Sequence, residues 1–467
     1  MMRASRAAAV AVAVVLTSCS GAAEGPHSRP RAPCQRSYHY GGPRSAAPRY
    51  RMQLRVEPRR RIITGSENVT LPAPRPLTRL VFRLWPNGPR QLSEGARLIV
   101  QDVSVDGTSV RARRPDPTTL VVEPATGGKL PATVTAHLRF VVRLPGVALD
   151  RLSAGRGWMV AGSFFPILPW NPERGWATDP APATLAEGST SPTADFYATV
   201  KHPPGLAALA TGQRVSSRRG VSTFRARSVR DFAFAVGRFD LARATMHLPE
   251  PVRVTVGVLH GVTPSPEQFL ARERRALTHL FRRYGPYPWP AFTLAVVPGL
   301  GGAGIEYPNM VFQGPASLEF ATSHEAGHQW FYSLVGNNQA ADPWLDESLA
   351  SWVGAEEDHS LVLFRRYAVP PAARGKLGAP MSYWDKVSER DYFAGVYAQG
   401  VQALSSLGPP RKVDCALRIY AARNAYGIAT PSDMLRALEV VFPDARRKLA
   451  RFGAWTGGAG RAQNRAG

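Results

Sequence analysis

From about Tyr50 to Asp240, apolar positions recur mostly with a period of two. Tyr50-Arg51-Met52-Gln53-Leu54-Arg55-Val56 alternates apolar and polar residues, as does Leu80-Val81-Phe82-Arg83-Leu84-Trp85. Thr133 to Leu144 is a further β-rich run. Such alternation puts one face of a strand on a core and the other in water. Pro and Gly punctuate these runs at short intervals, which predicts an antiparallel β domain. Phe164 to Trp176 carries Pro166, Pro169 and Pro172 among aromatic residues and reads as an ordered loop. The pattern changes near Thr263. Ser265-Pro266-Glu267 reads as an N-cap followed by Pro at the first helical position. Phe269, Leu270, Leu277, Leu280, Phe281 and Tyr284 then recur with helical spacing until Pro286. Phe292 to Val297 is a short apolar strand, and beyond Ala316 the chain reads as largely helical to about Phe452, with a frayed end from Gly457. The fold class expected is α+β and multidomain: a β domain over 49–245, a mainly helical domain over 246–410 and a short helical C-terminal segment over 411–467.

The chain has 467 residues, 44% of them hydrophobic, and a formal net charge of +24. The charge invites a nucleic-acid reading. However, 52 of the 58 basic residues are Arg, and they are scattered. The densest groups, Arg59 to Arg61, Arg111 to Arg114 and Arg272 to Arg275, are short, and no basic run is interleaved with stacking aromatics. No nucleic-acid partner is expected; the charge reads as a solvated basic surface. No internal stretch reaches the ~18 apolar residues that span a bilayer, which excludes a polytopic membrane protein.

At the N-terminus, Arg3 and Arg6 precede an apolar run from Ala7 to Leu16, followed by Thr17-Ser18-Cys19. That is the pattern of a signal peptide over 1–18. Its end resembles a bacterial lipobox, in which Cys19 is lipidated. This predicts an extracytoplasmic chain tethered to a membrane surface through Cys19; the alternative is ordinary secretion with an incidental Cys. Residues 19–48, rich in Gly, Pro, Ser, Ala and Arg, read as a flexible tether. Such a compartment permits a disulfide between Cys34 and Cys415. Their spacing leaves the pairing open, and neither has metal-site spacing.

His324-Glu325-Ala326-Gly327-His328 places two imidazoles four residues apart, on one helix face, where both can reach one ion. Neutral imidazole suits zinc, and Glu325 can take a proton from a bound water. Glu347 follows His328 with 18 residues between them. Asp342-Pro343 reads as the N-cap and first-turn Pro of a new helix, with Glu347 projecting from its second turn. Two His and one Glu leave the fourth zinc position open, the arrangement of a catalytic site. Gly299-Leu300-Gly301-Gly302-Ala303-Gly304 matches Gly-x-Gly-x-x-Gly, but a dinucleotide site needs a helix to start there. Ile305-Glu306-Tyr307-Pro308 followed by Met310-Val311-Phe312 reads instead as an extended edge strand. The cluster Glu356-Glu357-Asp358-His359 reads as an exposed helix end.

These residues resemble the zinc aminopeptidases related to aminopeptidase N (peptidase family M1, among the gluzincins). The specific part of the resemblance is the helix pair, with His328-Gln329-Trp330-Phe331 and Trp344-Leu345-Asp346-Glu347-Ser348-Leu349-Ala350-Ser351-Trp352 beside the paired histidines. A weaker likeness covers about residues 50–410. The resemblance implies an N-terminal antiparallel β saddle, a thermolysin-like catalytic domain, and a final helical domain that is missing or reduced. It also implies one Zn2+ on His324, His328 and Glu347, and peptide substrates. Ala303-Gly304-Ile305-Glu306-Tyr307 resembles the family's exopeptidase signature. Substrate would then add as a strand along Gly304 and Ile305, and Glu306 would accept its α-ammonium. Ala303 and Tyr307 depart from the usual Gly and Asn. A second amine-binding Gln or Glu from the β domain has no counterpart between Arg151 and Trp170, which leaves Glu306 alone. In Val396-Tyr397-Ala398-Gln399-Gly400, Gln399 stands where Lys is usual, and Tyr397 is implied as the oxyanion donor, ahead of Tyr392 and Tyr383. Asp342 either orients a ligand histidine or serves only as the N-cap. The function expected is a zinc metallopeptidase of aminopeptidase type, with Glu325 as the base. The alternatives are an endopeptidase or processing enzyme on the same site, and a non-catalytic envelope lipoprotein. Oligomeric state is not set by the sequence.

Overall fold

The computed structural model describes residue 34 and residues 39–73, 76–184 and 190–455. The expected signal peptide, Cys19, most of the expected tether and the end expected to fray lie outside the described residues.

The period-two runs form a ten-stranded sheet, whose central neighbours are Ala194–Lys201, Arg49–Glu57, Ile62–Pro72, Thr133–Arg143 and Arg97–Val105. Tyr50, Met52, Leu54 and Val56 point inward while the residues between them are exposed. The pairing is antiparallel here except between Arg49–Glu57 and Ala194–Lys201, which run parallel. A parallel pair needs a long connection, and the intervening strands supply it. Leu80–Arg83 departs from the expected alternation, because all four residues are buried. Arg83 is carried inside by a bond from Nη1 to Thr119 Oγ1 (3.1 Å) and by stacking over Trp85. Within the expected loop, Phe164, Phe165, Ile167 and Leu168 are core residues, and Trp170–Asn171 pairs with Gly175–Trp176.

A four-stranded sheet that includes Trp158–Gly162 and Ala233–Gly237 shares a core with a five-stranded sheet, through Trp158, Val160, Ala235, Tyr307 and Phe312. The five strands run in the order Phe239–His247, Pro251–Leu259, Ala291–Val296, Met310–Gln313, Gly304–Tyr307. This sheet begins at Phe239, ahead of the expected 245/246 division, because Phe239–His247 pairs along its length with Pro251–Leu259. Gly304–Tyr307 is the outer strand. With Met310–Gln313 it forms a hairpin and not one extended strand, since Asn309 turns the chain at φ 49°.

After a short helix α1 (Pro89–Ser93), further helices follow the third sheet's start, among them α2 (Pro266–Tyr284), α3 (Phe320–Gly327), α4 (Trp344–Glu357) and α5 (Leu361–Arg366). α2 has the expected cap. The Ser265 side chain accepts from the Gln268 N–H, and the Gln268 side chain accepts from the Ser265 N–H. A π-helical turn, Phe393–Ala398, leads into Gln399–Leu407, and Pro410–Asn424 follows. That last helix is pinned to its neighbours by Asp414, which accepts from Tyr284 Oη, Trp352 Nε1 and Arg283 Nη1 at 2.8–3.0 Å. Cys34 and Cys415 form a disulfide, with Cα atoms 5.5 Å apart. No helix among the described residues is long and apolar enough to cross a membrane.

Candidate active site

α3 carries His324 and Glu325, and His328 caps its C-terminal end. Two glycines let α4 cross α3 closely. A Cβ on Gly327 would clash with Val353 Cγ2, and one on Gly354 would lie 3.2 Å from the His324 backbone nitrogen. α4 opens at Trp344 with Pro343 as its cap residue. Asp342 is therefore not the N-cap, and Glu347 sits in the first turn, not the second. The crossing brings Glu347 onto the histidines. The two Nε2 atoms are 3.1 Å apart, and Glu347 Oε2 is 3.3 Å from His324 Nε2 and 3.5 Å from His328 Nε2. All three side chains are buried. Zinc bonds of about 2.0–2.1 Å in a tetrahedron give donor–donor edges of about 3.3–3.4 Å. The three atoms are thus spaced as one face of a zinc tetrahedron, and imidazole with carboxylate is a donor set that zinc accepts.

Two glutamines hold the hairpin against α3 and the turn that follows it. Gln313 exchanges hydrogen bonds with Thr322 at 3.1 and 3.2 Å. Gln329 accepts from the Asn309 N–H at 2.7 Å and donates to the Tyr307 carbonyl at 3.1 Å. The strand comes so close that a Cβ on Gly304 would fall 2.5 Å from Glu325 Cδ and Oε1. Ile305 follows, half-buried, and then Glu306, buried. One oxygen each of Glu306 and Glu325 and a ring nitrogen of His328 lie within 4.8 Å of one another. Gln339, which the sequence reading missed, donates to Asp346 Oδ2 at 2.9 Å and reaches Glu306 Oε1 at 3.5 Å. A second polar group beside Glu306 thus comes from the loop between α3 and α4, not from the β domain. Asp346, also missed, accepts from the Glu347 N–H at 2.9 Å.

Tyr397 lies on the π-helical turn, which Ser348 of α4 holds by donating to the Val396 carbonyl at 2.7 Å. Its ring stacks on His324, with centroids 5.6 Å apart and planes 18° apart. Tyr392 meets Tyr397 edge-on, and Tyr383 is turned to the Ala372 carbonyl. Gln399 bonds to the Ala373 and Gly395 carbonyls and to the Gly375 N–H, tying the turn to a neighbouring loop. His328 Nδ1 lies 3.1 Å from the Phe331 carbonyl, and His324 Nδ1 has no hydrogen-bond partner among the described residues. Asp342 presents its backbone carbonyl to Leu345 N–H and Asn337 Nδ2. The acidic cluster is not an exposed helix end. Glu357 and Asp358 pair with buried Arg272, and Glu356 takes His279 and Arg283, each at 2.7 Å.

The interior of the site is anionic. Burial pushes His324 down toward its neutral, metal-binding form. Burial also opposes protonation of His328, but the charges of Glu306, Glu347 and Glu325 raise it well above its ordinary value. Burial alone would raise Glu347; the two histidines hold it below the usual carboxylate range. Burial, then the Glu347 charge, raises Asp346 to about 7. The same two causes raise Tyr397 far enough to keep its phenol protonated. A bound divalent cation would relieve this clustered negative charge.

Compared with family models and with curated protein sequences, the chain matches none. Solved structures do match. An M1 zinc metallopeptidase from Deinococcus radiodurans superposes with a TM-score of 0.65 at 19% identity, covering 87% of this chain and 93% of that one. The fold is that of the M1 zinc metallopeptidases. A mutant M1 zinc metallopeptidase from the same organism, bound to a Tyr-Ser-Ala substrate, gives 0.64 at 19% identity, covering 87% and 95%. Native yeast LTA4 hydrolase gives 0.62 at 16% identity, covering 87% of this chain and 66% of that one. The expected α+β architecture, a β-rich first part and a mainly helical second part, is the one found.

Proposed function

We propose that the protein is a zinc-dependent metallopeptidase that removes residues from the N-terminus of peptides. The observation that carries this reading is the triangle of His324, His328 and Glu347 with Glu325 and Glu306 packed beside it. One zinc ion held by those three side chains would supply a Lewis acid and bring the pKa of a water bound to it to about 7. The chain's own residues do the rest. Gly304–Tyr307 is an edge strand of its sheet, and substrate adds along it through backbone hydrogen bonds. Glu306, with Gln339 against it, takes the α-ammonium. A carboxylate at that point fixes the N-terminus next to the scissile bond. Glu325, packed over Gly304, takes a proton from the attacking water and passes it to the leaving amine. The Tyr397 hydroxyl donates to the carbonyl oxygen as charge develops there. The fold neighbours, one with a Tyr-Ser-Ala substrate bound, support the same reading.

Matched peptides with free and acetylated N-termini test the aminopeptidase part. Free peptides are cleaved and acetylated ones are inert. Glu306→Gln lowers kcat/KM on free peptides by about 30- to 100-fold, the size of one lost charged hydrogen bond. Equal cleavage of both sets points to an endopeptidase and overturns the Glu306 assignment.

We also place the mature chain outside the cytoplasm, anchored to the bacterial cell envelope through lipidated Cys19, or otherwise secreted. The charged and apolar N-terminal pattern supports this, as does the Cys34–Cys415 disulfide, a bond that persists in oxidising compartments. Mass spectrometry of the mature N-terminus is expected to find a lipid on Cys19. An unmodified terminus beyond Cys19 removes the anchor.

A further inference from the structure

We infer that the catalytic site continues into a groove that selects acidic residues downstream of the scissile bond, an inference that rests on the peptidase reading above. A groove of about 1380 Å³ lies between α2, the start of α3, and α5. One wall is a single face of α2, where Arg274, Thr278 and Arg282 follow at helical spacing. The other sets Phe320, Leu363 and Phe393 beside the carboxylates of Glu319, Glu357 and Asp358. Leu363 is 68% exposed and Phe393 40%. Grouped exposure of large apolar side chains marks a contact surface.

The groove adjoins the residues of the proposed site. The Phe320 ring lies 5.7 Å from that of His324, and Phe393 stacks on Tyr397 at 4.8 Å. Its direction follows from α3. Glu306 groups with His328, and Gly304 lies against Glu325. Phe320 is one turn beyond His324 in the opposite direction, about 12 Å from His328 along the helix axis. A peptide whose ammonium sits on Glu306 therefore sends its later residues past Glu325 and His324 toward Phe320. An extended chain covers that distance in about three to four residues.

Charge selects the occupant. The carboxylates that line the groove already have partners: Glu319 pairs with Arg272 and Arg275, and Glu357 and Asp358 pair with Arg272. Arg274 and Arg282 are exposed, and among the described residues their guanidinium groups make no ion pair or hydrogen bond. Each can take a carboxylate in bidentate fashion, while Phe320 and Leu363 cover apolar side chains between. The occupant is a peptide segment carrying Asp or Glu a few residues after the cleaved bond.

The test uses the full chain and hexapeptides that share their first three residues and carry Asp, Ala or Lys at the last three. A single aminoacyl anilide, too short to reach the groove, serves as reference. At low salt, kcat/KM for the Asp peptide is expected to exceed that for the Ala peptide about fivefold, the size of two exposed ion pairs, with the Lys peptide lower still. The advantage disappears at about 0.5 M salt, and also in the double variant Arg274→Ala/Arg282→Ala, which cleaves the anilide at the wild-type rate. Equal kcat/KM for the Asp and Lys peptides, or an advantage that survives in the double variant, overturns the groove. If wild type fails to cleave even the anilide, the peptidase reading has failed. Fluorescence anisotropy of a labelled Asp hexapeptide on the two proteins then decides the groove: tighter binding to wild type supports it, and equal binding overturns it. Wild-type binding to phosphatidylglycerol vesicles through these two arginines, without any preference for the Asp peptide, assigns the surface to lipid and overturns the peptide reading.

Discussion

Glycine stands at 304 for space, not for backbone freedom. The volume a side chain would fill there is occupied by the Glu325 carboxylate. Gly304→Ala must displace either the strand or Glu325, and a misplacement of about 1 Å can lower a rate about a hundredfold. That loss in kcat is expected with the zinc content, read by elemental analysis, unchanged. Glu67 poses a different problem. In Ile62–Pro72 it holds an inward position between Gly65 and Val69, opposite Met52 and Leu138. Neither of its carboxyl oxygens has a hydrogen-bond partner among the described residues. Burial raises its pKa well above the ordinary value of 4.5. The folded chain holds this proton while the unfolded chain releases it above about pH 4.5, so the group lowers stability increasingly as pH rises until the folded pKa is passed. Glu67→Gln is therefore expected to raise Tm at about pH 8 and to narrow the difference in Tm between about pH 5 and pH 8. Calorimetry at the two pH values checks this; an unchanged difference goes against it.

At the scale of elements, the two helices of the metal triangle were legible in the sequence to different degrees. The spacing of His324 and His328 is set by helix periodicity alone, so their shared face could be read directly. Glu347 could be read too, but the start of its helix slipped by one residue, because Pro343 takes the cap position. Gly327 is an unspecified position in the motif, and its importance shows only once α4 crosses α3 against it. Gly327→Val is expected to push the helices apart and abolish stoichiometric zinc binding; wild-type zinc content in that variant contradicts the close-crossing argument. Contacts between loops left no pattern to read. Gln339 reaches Glu306 across 33 residues from a stretch with neither periodicity nor motif. The hairpin at Asn309 read as one strand because its apolar residues suit either arrangement. The acidic cluster at the end of α4 read as exposed because its partners, Arg272, His279 and Arg283, lie on another helix.

At the scale of the molecule, the β part and the helical part act as one support for the site. Tyr307 fills the space left by Gly162 of the four-stranded sheet, which gives a physical reason for a Tyr at that position. Arg230 is fully buried, and its guanidinium bonds the carbonyls of Ser191, Ser333, Leu334 and Gly427. Burial lowers its pKa to about 10. Arg230→Met leaves those carbonyls without their donor, and a loss on the order of 3 kcal/mol in urea unfolding is expected. The chain as a whole carries a net charge of +24, while the proposed catalytic interior is anionic and suited to zinc and to a substrate ammonium. The central claim is zinc-dependent peptide hydrolysis with Glu325 as the base, and one comparison of Glu325→Gln with wild type tests it most directly. Zinc per chain is measured by elemental analysis, and cleavage of aminoacyl substrates with and without a chelator. The account predicts one zinc in both proteins, chelator-sensitive cleavage by wild type, and a kcat at least about a hundredfold lower in the variant. Wild-type protein without stoichiometric zinc, or a variant that cleaves as fast as wild type, contradicts it.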